Sequence, residues 1–363
     1  MLGLESEVNE SCTTNPEFQH GVKISTWIFI LGSSLIFLLG VAGNGVVIWM
    51  LSRHVKRTEI TVWFLNLSVA DFIYTVMVPF RIIYAALVFH WPFGEFLCKL
   101  DFFVAFFNMY ASVLFLTAIS LDRCFLVTLP IWHRNKRPQH TSLVGIIAIW
   151  LISFALSTPY IPFIQIVDIN KTICYINYRS STLGNEDVGA QKINRERIMV
   201  ITRFVLGYLI PSIVLISTYT ILSMKVHKMQ LKKISKVYKI TIATVVAFFI
   251  CWTPYHVFNL IYIVHFSSPA CSYHPVVYIG YPVVYTFAYT SSCINPILYV
   301  FFGEGFKKKL FQTLTATFQK AFEDEVSSTI SIRKRPTQLW SRRKAQATVP
   351  QDQPLSAVHV PDL

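Results

Sequence analysis

LDFFVAFFNMYASVLFLTAISLDRCFLVTL, residues 100–129, decides the fold. Thirty residues pass with one acidic group near each end and one arginine, Arg123, next to the inner acid. No strand-like alternation runs through them, and a helix of this length exceeds the ~20 residues needed to cross a bilayer core of about 30 Å. Six further stretches read the same way: Ile24–Leu51, Ile60–Val88, Leu143–Phe163, Ile198–Met224, Ile240–Val264 and Val276–Phe302. Lipid offers backbone N–H and C=O groups no partner, so each segment must close its hydrogen bonds internally as a helix. The expected fold is an all-α membrane protein, a bundle of seven transmembrane helices.

Composition agrees, with 53% hydrophobic and 14% charged residues leaving no room for a separate soluble core. The net charge of +13 would suit a nucleic-acid binder, but its distribution argues against one. Lys and Arg gather in Arg53–Arg57, Arg134–Arg137, Lys225–Lys239 and Lys307–Lys309, on every second inter-helix segment and the tail. The positive-inside rule assigns these to the cytoplasm. The acidic leader, with Glu5, Glu7, Glu10 and Glu17, then lies outside at the plasma membrane. Two glycosylation sequons, at Asn9 and Asn170, fall on that outer face.

The expected organisation is an extracellular tail over 1–23, the bundle over 24–302, a membrane-surface eighth helix over 303–322 and a disordered cytoplasmic tail over 323–363. In the eighth helix Phe306, Leu310, Leu314, Phe318 and Phe322 recur at four-residue spacing among lysines, which suits an amphipathic helix on anionic lipid. Beyond it, Ser327, Ser328, Thr329 and Ser331 follow an acidic triplet, a pattern for phosphorylation and arrestin recruitment or simply a polar tail. Of seven cysteines, Cys12, Cys98, Cys174 and Cys271 lie on the oxidising side. A Cys98–Cys174 bond would tie the long loop before the fifth helix over the bundle mouth. Cys12 with Cys271 would complete the pairing, with two free thiols or an intermolecular bridge as the alternative.

Ionisable groups within apolar segments are functional candidates by default, here Asp71, Arg81, Arg123 and Arg203. Pro79, Pro159, Pro211, Pro254 and Pro296 are expected to interrupt helices. These residues belong to an ordered set, about one group per helix: Gly43-Asn44-Gly45-Val46, Leu67–Asp71, Asp122-Arg123-Cys124, Trp150, Pro211 with Tyr219, Cys251-Trp252-Thr253-Pro254, and Asn295-Pro296-Ile297-Leu298-Tyr299.

The set closely resembles the rhodopsin-like (class A) G-protein-coupled receptors, from about Ser25 to Phe322. That resemblance implies an activation switch of Asp122, Arg123, Trp252, Pro254, Tyr219, Asn295, Pro296 and Tyr299. It implies a site for an allosteric sodium ion at Asp71, Asn108, Ser112 and Asn295 with Asn44, sodium being the only metal expected and no other cofactor. Cys124 stands where most members have Tyr, and Ser291 where many have Asn. The run Leu116–Cys124, with Phe107–Ser112, Arg203–Gly207 and Cys251–Phe258, is similar to the chemoattractant branch, closer to its prostaglandin D receptors than to its formyl-peptide receptors.

By that resemblance Arg203 and Tyr255 hold a lipid carboxylate, a task suited to the planar guanidinium fork. Arg81 is either a second ligand cation or is neutralised by Asp101. Phe106, Tyr110, Trp252, Tyr255, His256, Phe258, Tyr281 and Tyr285 make the aromatic lining, for an acidic lipid agonist or, alternatively, a chemotactic peptide. Expected partners are an inhibitory-type heterotrimeric G protein, arrestin and membrane lipids, with no nucleic acid. An arrestin-coupled scavenger and a transporter are the other readings, and no repeated halves or polar path favours the transporter. Neither a P-loop nor HExxH or Gly-x-Ser-x-Gly is present, so no enzyme is expected.

Overall fold

A computed structural model describes residues 16–131, 141–168, 170–178, 188–228, 236–265, 273–302, 310–313 and 315. Seven long helices account for most of them. They are α1 (Pro16–Trp49), α2 (Glu59–Ala86), α3 (Gly94–Thr128), α4 (Thr141–Ser157), α5 (Val188–Phe204 and Ile210–Lys228, joined by a π-helical turn Val205–Leu209), α6 (Lys236–His265) and α7 (Tyr273–Phe302). Six of these are long and apolar enough to cross a membrane, and α7 has 30 residues. The chain divides into two units, 1–304 with the bundle and 305–363, in which 310–313 and 315 are helical.

Several helices outrun their apolar stretches. α1 begins at Pro16, inside the expected tail, and α5 at Val188, ten residues before Ile198. Hydropathy marks only the part of a helix that needs lipid; polar turns beyond the interface keep the same hydrogen bonds in water. At the start of α2 the reason for the boundary is local: the Thr61 N–H donates to Thr58 Oγ1 (3.4 Å) and the Thr58 N–H to Thr61 Oγ1 (2.8 Å), a reciprocal cap.

The prolines behave differently from expectation. Pro79, Pro254 and Pro296 stand inside continuous helices, whereas Pro159 lies in a 3₁₀ turn, Thr158–Phe163, that ends α4, and Pro211 follows the π-turn of α5. Neighbouring helices and local 3₁₀ or π adjustments absorb the lost N–H.

α3 is the central post. In its most apolar window 67% of residues are buried, against 22% for α1 and 28% for α4. Trp27, Leu31, Leu35 and Leu38 on α1 and Leu143, Val144, Ile147 and Leu151 on α4 are exposed, as lipid-facing residues must be. Small residues bring helices close: a Cβ on Gly43 would come within 2.8 Å of Pro296, and one on Gly145 within 2.8 Å of Trp63.

Sequence reasoning missed one element, an antiparallel hairpin of β1 (Ile164–Asp168) and β2 (Thr172–Ile176), with Ile166 opposite Cys174. The expected Cys98–Cys174 disulfide is present and pins it to the outer end of α3. The Trp91 N–H donates to Thr172 O (2.7 Å), the Thr172 N–H to His90 Nδ1 (3.2 Å), and Lys171 Nζ to Val88 O (3.0 Å). The receiving turn is itself tight, with Val88 and Phe89 at φ of 54° and 62°, a region that side chains, β-branched ones above all, rarely occupy.

Candidate functional site

Two chambers share Arg81, Phe102 and Tyr285, and the outer one reaches the hairpin at Cys174. The outer one, about 590 Å³ including its mouth, is walled by Phe29 of α1, Tyr84 of α2, Phe89 and Trp91 of the α2–α3 turn, Cys174 of β2 and Pro282 of α7. The inner one runs past Phe106 and Met109 of α3 and Tyr289 of α7 to Tyr255 and Trp252 of α6. Both are predominantly aromatic.

The two arginines differ. Arg81 Nε donates to Asp101 Oδ1 (3.0 Å) and lies 2.9 Å from Oδ2, and Nη1 donates to Tyr289 Oη (2.8 Å). Its carbon is 5.2 Å from the Phe102 ring centre and 5.3 Å from that of Tyr289. Of the two expectations for Arg81, the pairing with Asp101 is present, and Arg81 also lines both chambers. Its Nη2 has no hydrogen-bond partner among the described residues.

Arg203 is 5% exposed and has no carboxylate partner among the described residues. Nη2 donates to Asn259 Oδ1 (3.1 Å), whose amide is itself held by Tyr255 O (2.7 Å). Phe106, Tyr255 and Tyr160 surround the guanidinium at 5.3, 5.5 and 5.9 Å. The cation therefore stands behind two rings of the inner chamber and is not part of the lining of either chamber. Its field also reaches the loop after β2, where burial pushes the Tyr178 phenol up and Arg203 partly offsets that.

Of the expected aromatic lining, Phe106, Trp252, Tyr255 and Tyr285 are in place. The others are not on these walls. Tyr110 meets Tyr160 hydroxyl to hydroxyl (3.4 Å); His256 stacks on Tyr208 (4.7 Å), its Nε2 without a partner among the described residues; Phe258 packs on Tyr281 (4.8 Å) and Gly280 where α6 meets α7. Helical rotation is the cause: Trp252, Tyr255 and Asn259 share a face at i, i+3 and i+7, while Phe258 turns toward α7. Sequence reasoning missed Asn259, Tyr160, Phe102 and Tyr289. Asn259 had a signal, being an amide within an apolar segment one turn past Tyr255.

Below Trp252 the structure assembles the expected polar cluster. Asn108 Nδ2 and Ser112 Oγ donate to Asp71 Oδ1 (3.0 and 3.1 Å), and Asn295 Nδ2 donates to Oδ2 (2.8 Å). Ser292 Oγ donates to Asn108 Oδ1 (3.2 Å), and Asn44 Nδ2 to Ser292 O (2.8 Å). Ser291 accepts from Trp252 Nε1 (3.1 Å) and so joins this layer to the chamber floor. A small cavity beside Asp71 is walled by Ser112, Thr244, Ser291 and Asn295, a donor set of one carboxylate with neutral oxygens that fits a hard monovalent cation.

At the inner end, Arg123 donates to Asp122 Oδ2 through Nε (3.2 Å) and Nη2 (2.5 Å), so the acid holds its neighbour's fork in place. Ser120 Oγ donates to Tyr219 Oη (3.2 Å). Tyr299 is on α7 with its side chain outside the described part, and Asn170 is exposed in the turn between β1 and β2. Asn9, Cys12, Cys271, Ser327, Ser328, Thr329, Ser331 and most of 303–322 lie outside the described residues.

The seven-helix order, the Asp71 layer and the Asp122–Arg123 pair together define a receptor of the rhodopsin type. The family profile of the 7 transmembrane receptors (rhodopsin family) matches residues 43–299, and the chain belongs to that family. It is 40% identical to chemerin-like receptor 1 of Bos taurus over 282 residues, 76% of this chain and 77% of that one. It is 37% identical to chemerin-like receptor 2 of Homo sapiens over 309 residues, 84% of each, and 36% identical to the Rattus norvegicus chemerin-like receptor 2 over 308 residues, again 84% of each. These relatives belong to the chemoattractant branch, as expected. The chain is thus a multi-pass membrane receptor of a family that takes an extracellular ligand and a G-protein partner.

Proposed function

We propose that this receptor responds to an extracellular chemoattractant with an acidic group on an apolar body, an acidic lipid mediator of prostaglandin D type, and signals through an inhibitory-type G protein and arrestin. The observation that carries this reading is Arg203, a buried guanidinium held, among the described residues, by an amide and three rings. A charge in that setting gains most from an anion that can take both prongs of its fork. A ligand carboxylate would reach it past Phe106 or Tyr255 and displace Asn259. Ring movement there would press on Trp252, 5.7 Å from Tyr255, and bias the bundle toward the packing that opens the inner face at Arg123.

Asp71, Asn108, Ser112 and Asn295 would hold an allosteric sodium ion, whose charge would offset that of the carboxylate. The N-terminus would lie outside at the plasma membrane with glycan on Asn9 or Asn170, and Ser327, Ser328, Thr329 and Ser331 would carry phosphate. A second reading is a chemotactic peptide; the relatives are named as chemerin-like receptors. Such a peptide would offer its C-terminal carboxylate to the same arginine. Phe106 stands where formyl-peptide receptors have an aspartate, so a peptide cation finds no partner there.

The test is a cycle of acid and ester forms of candidate lipids and peptide C-termini against the unmodified receptor and Arg203→Ala. The acid should lose on the order of 2–5 kcal/mol on mutation and the ester much less. Equal losses would remove the carboxylate from Arg203.

A further inference from the structure

The outer hairpin is fastened to the α2–α3 turn through a group that can take up a proton. Three bonds hold its tip: the Trp91 N–H donates to Thr172 O (2.7 Å), Lys171 Nζ to Val88 O (3.0 Å), and the Thr172 N–H to His90 Nδ1 (3.2 Å). Only the last depends on a lone pair that a proton can occupy near neutral pH. A neutral imidazole carries one ring hydrogen, and the Thr172 bond requires that hydrogen to be on Nε2. Once both nitrogens are protonated, Nδ1 changes from acceptor to donor and meets the Thr172 N–H donor to donor. The imidazolium also brings a positive charge to a turn whose Val88 carbonyl already binds the Lys171 ammonium.

The groups on the surrounding elements do not take over this role. On the hairpin, Lys171 is engaged with Val88 O, exposed Asp168 stands opposite Thr172 in the strand register, and the Tyr175 hydroxyl accepts from Gln165 Nε2 (3.4 Å). At the start of α3, Glu95 and Lys99 pair with each other (2.6 Å), and on α2 the Tyr84 hydroxyl donates to Cys174 O (3.4 Å). Among the described residues no carboxylate pairs with His90. Histidine is the ordinary side chain whose charge changes between about pH 5 and 8, so of these groups it alone can switch there. The turn that carries it is costly, with Val88 and Phe89 at positive φ, and such a turn persists only while its neighbours brace it. Release of the tip frees the turn as well, while the Cys98–Cys174 bond keeps β2 attached to α3.

We propose that the outer hairpin is held by a proton-sensitive fastening, in which His90 Nδ1 accepts the Thr172 amide near neutral pH and lets the hairpin tip go in acid. The docked ring cannot bind a proton at Nδ1 and the released ring can, so docking is complete at the alkaline end and is lost as pH falls. With one proton competing for one lone pair, the docking constant falls by up to about tenfold for each pH unit within the titration range of histidine. β2 and the turn both wall the outer chamber, through Cys174 and Phe89, so acid loosens its rim. The fastening involves neither Arg203 nor a ligand carboxylate and stands or falls without the function proposed above.

The test is hydrogen exchange at single amides of the full-length receptor in nanodiscs, read by mass spectrometry with electron-transfer fragmentation. Labelling is done at about pH 7.5 and about pH 5.5, on either side of the middle of the histidine range, with times scaled to the intrinsic exchange rate. Protection of the Thr172 and Trp91 amides should fall about tenfold from the higher pH to the lower, while amides bonded across β1 and β2 keep theirs. His90→Asn places an oxygen near the position of Nδ1 that accepts at either pH, and it should keep the protection at both. His90→Phe keeps a ring without an acceptor and should show the acid value at both. Equal protection of Thr172 at the two pH values in the unmodified receptor, the same fall in His90→Asn, or full protection in His90→Phe would each overturn the proposal. The first of these needs no variant to fold.

Discussion

Replacing Arg203 with methionine should cost the ligand-free receptor less than Arg81→Met, which should destabilise it severely. Both arginines are buried among rings, and only their partners differ. Burying a lone cation costs several kcal/mol even after relaxation. Around Arg203 the return is three cation–π contacts, each ~0.5–2 kcal/mol, and one hydrogen bond from a charged donor, about 1.5–3 kcal/mol. The two sides nearly cancel. Methionine would keep the ring contacts through its sulfur and lose mainly the donor that Asn259 Oδ1 now accepts, a loss of about 1–3 kcal/mol that Arg203→Met with Asn259→Leu should recover. Arg81→Met would instead strand Asp101, 3% exposed, at a cost of about 3–5 kcal/mol, and deprive Tyr289 Oη of its donor. Thermal denaturation in nanodiscs, followed by a fluorophore that reacts with thiols, reads this directly, since Cys124, Cys251 and Cys293 are free and buried. The expected order of melting temperature places the Arg203 double variant at or above the unmodified receptor and Arg81→Met well below. If Arg203→Met falls as far as Arg81→Met, Arg203 already has a compensating negative group, and its role as a waiting anion site is wrong.

The disulfide closes a loop with sequence separation 76, so chain entropy alone puts its worth at about 4–5 kcal/mol. Cys98→Ala, Cys174→Ala and the double variant should therefore lose the same melting temperature, and an additive double loss would contradict the bond. Arg123→Ala should abolish nucleotide exchange on a purified inhibitory-type heterotrimer and keep ligand binding; retained exchange would dismiss the latch. Asn9→Gln with Asn170→Gln should shift electrophoretic mobility to the position reached by glycosidase treatment, and an epitope placed after Phe322 should stain only permeabilised cells. Staining of intact cells would reverse the assigned orientation.

The seven spans were legible because lipid imposes one solution on a long apolar run, and their ends were not because a polar turn is equally content in water. The β1–β2 hairpin escaped for a related reason. Its strands are five residues each and gain their burial from α3 and the disulfide, so little in Ile164–Ile176 alone announces a sheet. Polar residues inside apolar segments proved readable as a set, and Asp71, Asn108, Ser112 and Asn295 do meet. Rotation about each helix axis was not readable. Sequence cannot say that Asn259 faces Arg203 while Phe258 faces Gly280, nor choose between a free Arg81 and one paired across to α3, because each answer depends on which face α6 or α2 turns inward.

That rotation matters because it joins the two ends of the bundle. From Arg81, contacts pass through Tyr289 to Tyr285 (5.6 Å), to Tyr255 (5.3 Å) and to Trp252 (5.7 Å), whose indole N–H reaches Ser291 in the wall of the Asp71 cavity. A row of touching rings is not in itself a switch; coupling needs an element with two stable arrangements that both ends bias. The helices with irregular backbone supply candidates in the right places. α6 carries Pro254 two residues from Trp252, and the π-turn of α5 contains Tyr208, whose hydroxyl meets Thr253 Oγ1 on α6. A ligand that moved Tyr255 would act between these two points, so the packing it would disturb is the contact of α5 with α6, and the Asp71 layer, held by hydrogen bonds from α3 and α7, would resist the change.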